Sequence, residues 1–182
     1  MYLLNALKIK DEITIGWIGT PKTCHYLLSL IPVFENLKAR YDIRFVAVGA
    51  NTEEFQDTPI ETWPWSQESE VTSIQQFDIG IMPLIDSPWE RGKCGYKLIQ
   101  YMACGLPVVA SPVGVNTEIV RERINGYLAT NDDEWEEALI KLCTDTETRL
   151  RMGLAGREMV EQQYSIKSQS TKLLSAIKQA MQ

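Results

Sequence analysis

Asp78-Ile-Gly-Ile-Met-Pro-Leu84, a polar glycine-containing loop over Ile85–Cys94, Gly95-Tyr-Lys-Leu-Ile-Gln-Tyr-Met-Ala-Cys-Gly105 and Pro107-Val-Val-Ala-Ser111 form one continuous stretch on which the fold turns. The first and last runs are short and almost wholly apolar, which suits strands buried on both faces of a parallel sheet. The middle run carries apolar residues at helical spacing over about 95–103. It stops at Gly105, a residue that readily takes the left-handed conformation closing a helix. Strand, loop, helix and strand in that order are the alternation expected of a parallel sheet.

The same alternation extends in both directions. Upstream, Ile13-Thr-Ile-Gly-Trp-Ile-Gly19 and Ile43-Arg-Phe-Val-Ala-Val-Gly49 read as strands closed by glycine. Between them Leu27, Leu28, Ile31, Phe34 and Leu37 predict a helix over about 24–40. Pro59-Ile-Glu-Thr-Trp-Pro-Trp65 reads as an edge strand, because Pro64 cannot donate to a ladder. Ser66 is placed to cap a helix to about Gln76. Downstream, Thr117–Arg123 reads as a short helix and Gly126-Tyr-Leu-Ala129 as a sixth strand. The last helices run over about 132–180. Asn131-x-x-Glu134 and Thr144-x-x-Glu147 have capping-box spacing, and Ile166, Leu173, Leu174 and Ile177 form the apolar face of the last helix. The pattern predicts an α/β fold, a doubly wound Rossmann-like parallel sheet of about six strands with helices on both faces. Residues 1–12 are read as an N-terminal extension or former linker, and 13–182 as one domain.

Composition narrows the chemistry. The chain has 182 residues, 18 Lys and Arg against 24 Asp and Glu, and a net charge of −6. Such a balance excludes a nucleic-acid or anionic-membrane binder that works by bulk positive field. An anionic ligand needs a local basic cluster. Cys24, Cys94, Cys104 and Cys143 are scattered and His25 is the only histidine. No zinc-like ligand set is present, and no imidazole is placed to serve as a general base. No apolar run approaches the ~20 residues of a membrane span, and the N-terminus lacks the features of a signal peptide. A cytoplasmic location is expected.

In a doubly wound sheet, ligands sit at the carboxyl ends of the strands. There the loop Trp89-Glu-Arg-Gly-Lys-Cys-Gly-Tyr-Lys97 stands out, with Arg91, Lys93 and Lys97 interleaved with Gly92 and Gly95 at a helix start. Glycines allow close backbone approach, a helix N-terminus offers unpaired N–H groups, and lysine adds charge. The cluster reads as a phosphate or diphosphate cradle, against the alternative of a solvated loop face. Gly19-Thr20-Pro21-Lys22 offers a second phosphate contact, with a solvated lysine as the alternative. Trp63 and Trp65 are either edge-strand packing or a wall for a ring. Gly114 is read as a close-approach glycine and Asn116 as a turn or capping residue. His25 is read as a helix-face residue, and Met102 and Cys104 as helix–sheet packing.

Gly95–Gly114 also resembles the donor-binding signature of the group 1 (family 4) retaining glycosyltransferases, which have the GT-B fold. Tyr101-Met-Ala-Cys-Gly-Leu-Pro-Val-Val109 carries most of the likeness. It continues through Thr117-Glu-Ile-Val120, Asn125-Gly-Tyr-Leu128, Trp135, Arg149, Gly156-Arg157 and Tyr164-Ser165. The resemblance implies one half of a GT-B enzyme, the C-terminal, donor-binding half. Its ligand would be a nucleoside diphosphate sugar, with UDP or GDP as the nucleotide, used as substrate with no further cofactor and no bound metal. Residues implied to bind it are Gly19, Thr20, Lys22, Gly92, Lys93, Gly95, Tyr96, Lys97, Gln100 and Gly114. Lys97 and Arg91 would stabilise the leaving diphosphate.

The family's E-x7-E pair falls on Gly92 and Gln100, so both carboxylates are missing. Gln100 can still accept from a ribose hydroxyl through its amide oxygen, without the strength that charge gives such a bond. The implied reaction is hexosyl transfer to a glycan or lipid-linked glycan, and the partner would be an N-terminal acceptor-binding domain. Any peripheral membrane contact would go through that domain. Alternatives are a stand-alone nucleotide-binding or regulatory module, or a fragment of a GT-B-like nucleotide-sugar epimerase. A dehydrogenase is disfavoured because Gly16-Trp-Ile-Gly-Thr-Pro21 is not a dinucleotide-binding glycine motif.

Overall fold

The computed structural model describes residues 12–180, and the expected extension over 1–12 falls almost wholly outside them. Six strands form one sheet: β1 (Ile13–Ile18), β2 (Ile43–Val48), β3 (Ile60–Trp63), β4 (Ile79–Met82), β5 (Val108–Ala110) and β6 (Gly126–Leu128). Their order is β3-β2-β1-β4-β5-β6, and every pairing is parallel. The order reverses between β1 and β4, which opens the crevice where doubly wound sheets hold ligands. β3 lies at the edge, with Pro64 directly beyond its last residue.

Both faces of the sheet are covered. Ile15, Trp17, Phe34, Phe45, Leu37 and Trp135 belong to the core on one face, and Phe77, Leu98, Tyr101, Met102 and Val108 to that on the other. Two strand glycines make the second core possible. A Cβ at Gly80 would lie 2.4 Å from the Tyr101 ring, and one at Gly16 would lie 2.1 Å from Phe77. Tyr101 then reaches into the sheet, where its hydroxyl accepts from Ile18 N at 2.9 Å and donates to the Ile81 carbonyl at 3.3 Å. One buried phenol thus bridges β1 and β4 at the crevice, and burial pushes its pKa well up. Met102 and Cys104 are fully buried packing residues.

The helices differ from the sequence reading in instructive ways. The helix expected over 24–40 is a 3-10 segment, Cys24–Leu30, followed by α1 (Ile31–Lys38). Pro32 has no N–H and would clash with a preceding turn, so the α-helix starts where proline is tolerated, in its first turn. A second 3-10 segment, Thr52–Phe55, was not anticipated. α2 is only Glu70–Ile74, because Ser66 and Ser69 bond to each other's backbone N–H in a turn instead of opening a helix. The Ile85–Cys94 loop contains one helical turn, α3 (Pro88–Arg91), ahead of α4 (Tyr96–Ala103). α5 is Asn116–Ile119, ending where Val120 turns extended.

α6 (Asp132–Thr144) is capped as the spacing predicts, Asn131 Oδ1 accepting from Glu134 N at 3.0 Å. α7 (Thr146–Gln163) is capped by Asp145 instead of Thr144. Asp145 accepts from Thr148 N at 2.9 Å, while the Thr144 hydroxyl turns back to the Ile140 carbonyl. Gly153 and Gly156 bring α7 onto Gly105 and Met102, closer than any side chain would allow. α8 (Ile166–Ala180) departs most from expectation. Ile166 is 89% exposed, and Leu173, Leu174 and Ile177 are exposed too, so nothing among the described residues covers this apolar face.

Candidate functional site: a cleft at the carboxyl ends of the strands

The ends of β1, β2 and β3 and the start of α4 enclose a cleft of about 610 Å³. Its floor follows from the glycines that close the strands. Gly19 has no room for a side chain, since a Cβ there would meet the Trp17 indole at 2.3 Å and Lys97 Nζ at 2.8 Å. Gly49, at φ +76°, turns the chain beside the Gly19 carbonyl, a conformation that favours glycine. Thr20 and Pro21 from the loop after β1, and Trp63, Pro64 and Trp65 from the end of β3, line it.

Lys97 brings the cleft its positive charge. It stands in the first turn of α4, which begins at Gly95 in the left-handed conformation without a capping side chain. Its Nζ lies over the Trp17 ring, 4.2 Å from the centroid. Burial, and then the nearby Lys93 charge, lower its pKa to about 7. A lysine held on an aromatic face with no described carboxylate partner is poised to gain from an arriving anion.

The other basic residues are not gathered with it. Arg91 forms a two-pronged pair with Asp86 at 2.7 and 3.0 Å, on the protein's exterior. Lys93 donates to the Tyr26 hydroxyl at 3.0 Å and lies over that ring at 4.3 Å. Lys22 is exposed, and His25 lies on the surface with its ring against Tyr26. Gly92 is exposed beyond α3. Gly114 does make a close approach, but to protein: a Cβ there would lie 2.6 Å from the Arg91 carbonyl oxygen. Gly95 is buried against Ile119. Asn116 is buried and donates to the Ser111 carbonyl at 3.0 Å. Gly19, Thr20, Tyr96, Lys97 and Gln100 are the expected binding residues that share the cleft.

Two acidic residues escaped the sequence reading. Glu90, only 8% exposed, accepts from the Tyr26 hydroxyl and from the Ser87 hydroxyl. Those two bonds, Ser87 first, hold its pKa below the usual carboxylate range, and burial together with Glu90 pushes Tyr26 up to about 12. The signal was available: Ser87-Pro-Trp-Glu90 has capping-box spacing, and Ser87 Oγ also accepts from Trp89 N. Glu70 lines the cleft and accepts from Gln100 Nε2 at 2.6 Å. Nothing local marks it, since its partner is 30 residues away. Trp63 is half-buried beside Phe77 with the Arg44 guanidinium over it, whereas Trp65, beyond the strand, is 50% exposed at the cleft.

Known proteins share both sequence and fold with this chain. The family described as "Glycosyl transferases group 1" matches residues 12–145. Spore coat protein SA of Bacillus subtilis is 31% identical over 187 aligned positions, covering 91% of this chain and 48% of its own length. The chain thus spans about half of that relative. Among solved structures, Anabaena HepE in complex with UDP and glucose superposes with a TM-score of 0.74 at 15% identity, over 92% of this chain and 48% of that one. The C-terminal domain of a group 1 glycosyltransferase, LpcC, from Francisella tularensis matches with a TM-score of 0.63 at 21% identity, over 86% of this chain and 87% of that domain. The sheet order matches one Rossmann-like half of a GT-B fold, and with the family's match running across all six strands, the chain belongs to the group 1 glycosyltransferases.

Proposed function

We propose that this chain is the donor-binding half of a retaining glycosyltransferase and holds a nucleoside diphosphate sugar in the cleft formed by the carboxyl ends of β1, β2 and β3 and the start of α4. The observation that carries the reading is Lys97, a cation set on Trp17 at the uncapped first turn of α4. A diphosphate there would receive both the ammonium and the N–H groups of a helix start. As the sugar C–O bond breaks, its electron pair goes to the terminal phosphate oxygen, and these fixed groups favour the extra negative charge of the leaving diphosphate over the less charged diphosphate ester. The UDP bound to Anabaena HepE supports a nucleotide of this kind.

In this reading Lys97 carries the leaving-group role, with Tyr96, Gly19 and Thr20 beside it. Arg91, paired to Asp86, ties down the loop. Lys93 stays one step behind the site and braces Tyr26, while Lys22 is left at the exposed margin. The acceptor, a glycan or lipid-linked glycan, would be bound by a second domain, consistent with a chain that spans 48% of Spore coat protein SA.

Calorimetric titration of the chain with UDP, GDP and ADP tests this. At least one should bind, and Lys97→Ala should weaken that binding by roughly tenfold or more, the scale of a lost charge-assisted contact. Absence of binding at millimolar nucleotide would overturn the assignment.

A further inference from the structure

The cleft has one acidic residue in its lining, Glu70, and it belongs to no motif of the sequence. It stands at the start of α2 and lines the cleft together with the loop that closes β1. Its two oxygens are held from different sides. Oε1 accepts from Gln100 Nε2 at 2.6 Å, and Gln100 is 4% exposed. Oε2 accepts from the indole N–H of Trp65 at 3.0 Å, and that ring is half-exposed.

A carboxylate offers about four acceptor positions, and the protein takes up two of them. The amide and the indole therefore fix the orientation of Glu70 while leaving it able to accept twice more. Two donors on adjacent atoms are what such a fixed pair of oxygens fits. The cleft thus combines a cation from α4, a carboxylate from α2 and an aromatic ring beside the carboxylate. A ligand matched to it has an anionic group for Lys97, a neutral vicinal diol for Glu70 and a flat or ring face for Trp65.

We propose that Glu70 reads a vicinal diol in this cleft, with Gln100 and Trp65 as the residues that position it. The inference rests on the donor-site reading above, in which the diol is that of the nucleotide's ribose. It changes the role of Gln100: its amide nitrogen is committed to orienting a carboxylate supplied by another helix. The acidic group absent from α4 is thus supplied from α2. A hydroxyl lost from the ligand would leave one of the carboxylate's two remaining acceptor positions without that donor, and sites that hydrogen-bond a hydroxyl discriminate against its absence.

The test compares UDP with 2′,3′-dideoxy-UDP by calorimetry on wild type, Glu70→Gln, Lys97→Met and the swap Glu70→Gln with Gln100→Glu. Wild type should prefer UDP by at least about tenfold. Glu70→Gln is close in shape and should hold its melting temperature, yet bind both ligands alike, through loss of UDP affinity. Lys97→Met should weaken both ligands in parallel and keep the preference. The swap, which returns a carboxylate to the pair from the other helix, should regain the preference. A Glu70→Gln protein that still prefers UDP, or a wild type that binds both ligands equally, overturns the role of Glu70 and leaves the donor site standing. A wild type that binds neither overturns the donor site, and this inference with it.

Discussion

At the scale of single residues, Lys97 is the group whose environment says most. Its pKa, near 7 against an ordinary value of 10.5, makes its charge conditional at neutral pH. A bound diphosphate favours the ammonium form, so UDP affinity should rise as pH falls from about 8.5 to about 6.5. Lys97→Met should flatten that dependence in calorimetry. Stability without ligand moves the other way. The folded protein releases this proton near pH 7 and the unfolded chain only near 10.5, so the unfolded state holds more protons between those values. That contribution therefore makes the fold more stable as pH rises from about 7 to 10.5, and chemical denaturation of wild type against Lys97→Met should show it.

Gly80 gives a structural prediction at the same scale. A methyl there would enter the Tyr101 ring at 2.4 Å, and overpacking of this kind costs about 1–3 kcal/mol. Gly80→Ala should lower the melting temperature, whereas a Cβ at exposed Gly92 meets nothing nearer than 3.5 Å.

At the scale of elements, helix starts distinguish what spacing can tell from what it cannot. Asn131 and Glu134 behave as their spacing predicts, and Asn131→Ala should cost about 1 kcal/mol in thermal unfolding. Thr144 has equally good spacing, yet Asp145 is the cap. The backbone and hydroxyl of Thr148, in that order, lower the Asp145 pKa to about 2. Asp145→Ala should therefore destabilise α7 more than Thr144→Ala. The Asp145 contribution is fully present above its unfolded value of 3.8 and is lost as pH falls through about 2. Competing caps one residue apart are settled by which side chain the incoming chain direction aims at the helix N–H groups. That direction is tertiary information. The start of α1 beside Pro32 has a local signal in the proline's missing N–H, but the 3-10 geometry of Cys24–Leu30 does not follow from it, and the spacing of 24–40 reads as one helix.

At the scale of the whole molecule, the cleft belongs to one sheet, and the chain spans about half of Spore coat protein SA. The donor-half reading predicts that the 182-residue chain binds nucleotide but transfers negligible sugar from a panel of nucleotide sugars to water or simple glycosides. Chromatographic analysis of product checks this, and efficient turnover by the chain alone would overturn it. The exposed apolar side of α8, with Ile166, Leu173, Leu174 and Ile177, belongs to the same scale. Its period was plain in the sequence. What it faces is decided by where the helix is carried, and in this structure it is carried off the core.

The sequence by itself determined the six strands, their parallel arrangement, the closing glycines and the helix start that bears Lys97. These follow from hydrophobic period and from the conformational limits of glycine and proline, which act over a few residues. Tertiary structure alone decided how the charges divide. It paired Arg91 with Asp86, turned Lys93 to Tyr26, and left Lys97 without a described carboxylate partner. It also set Glu70 against Gln100. Charge interactions depend on distance and burial, and both are set by which elements the fold brings together across the crevice.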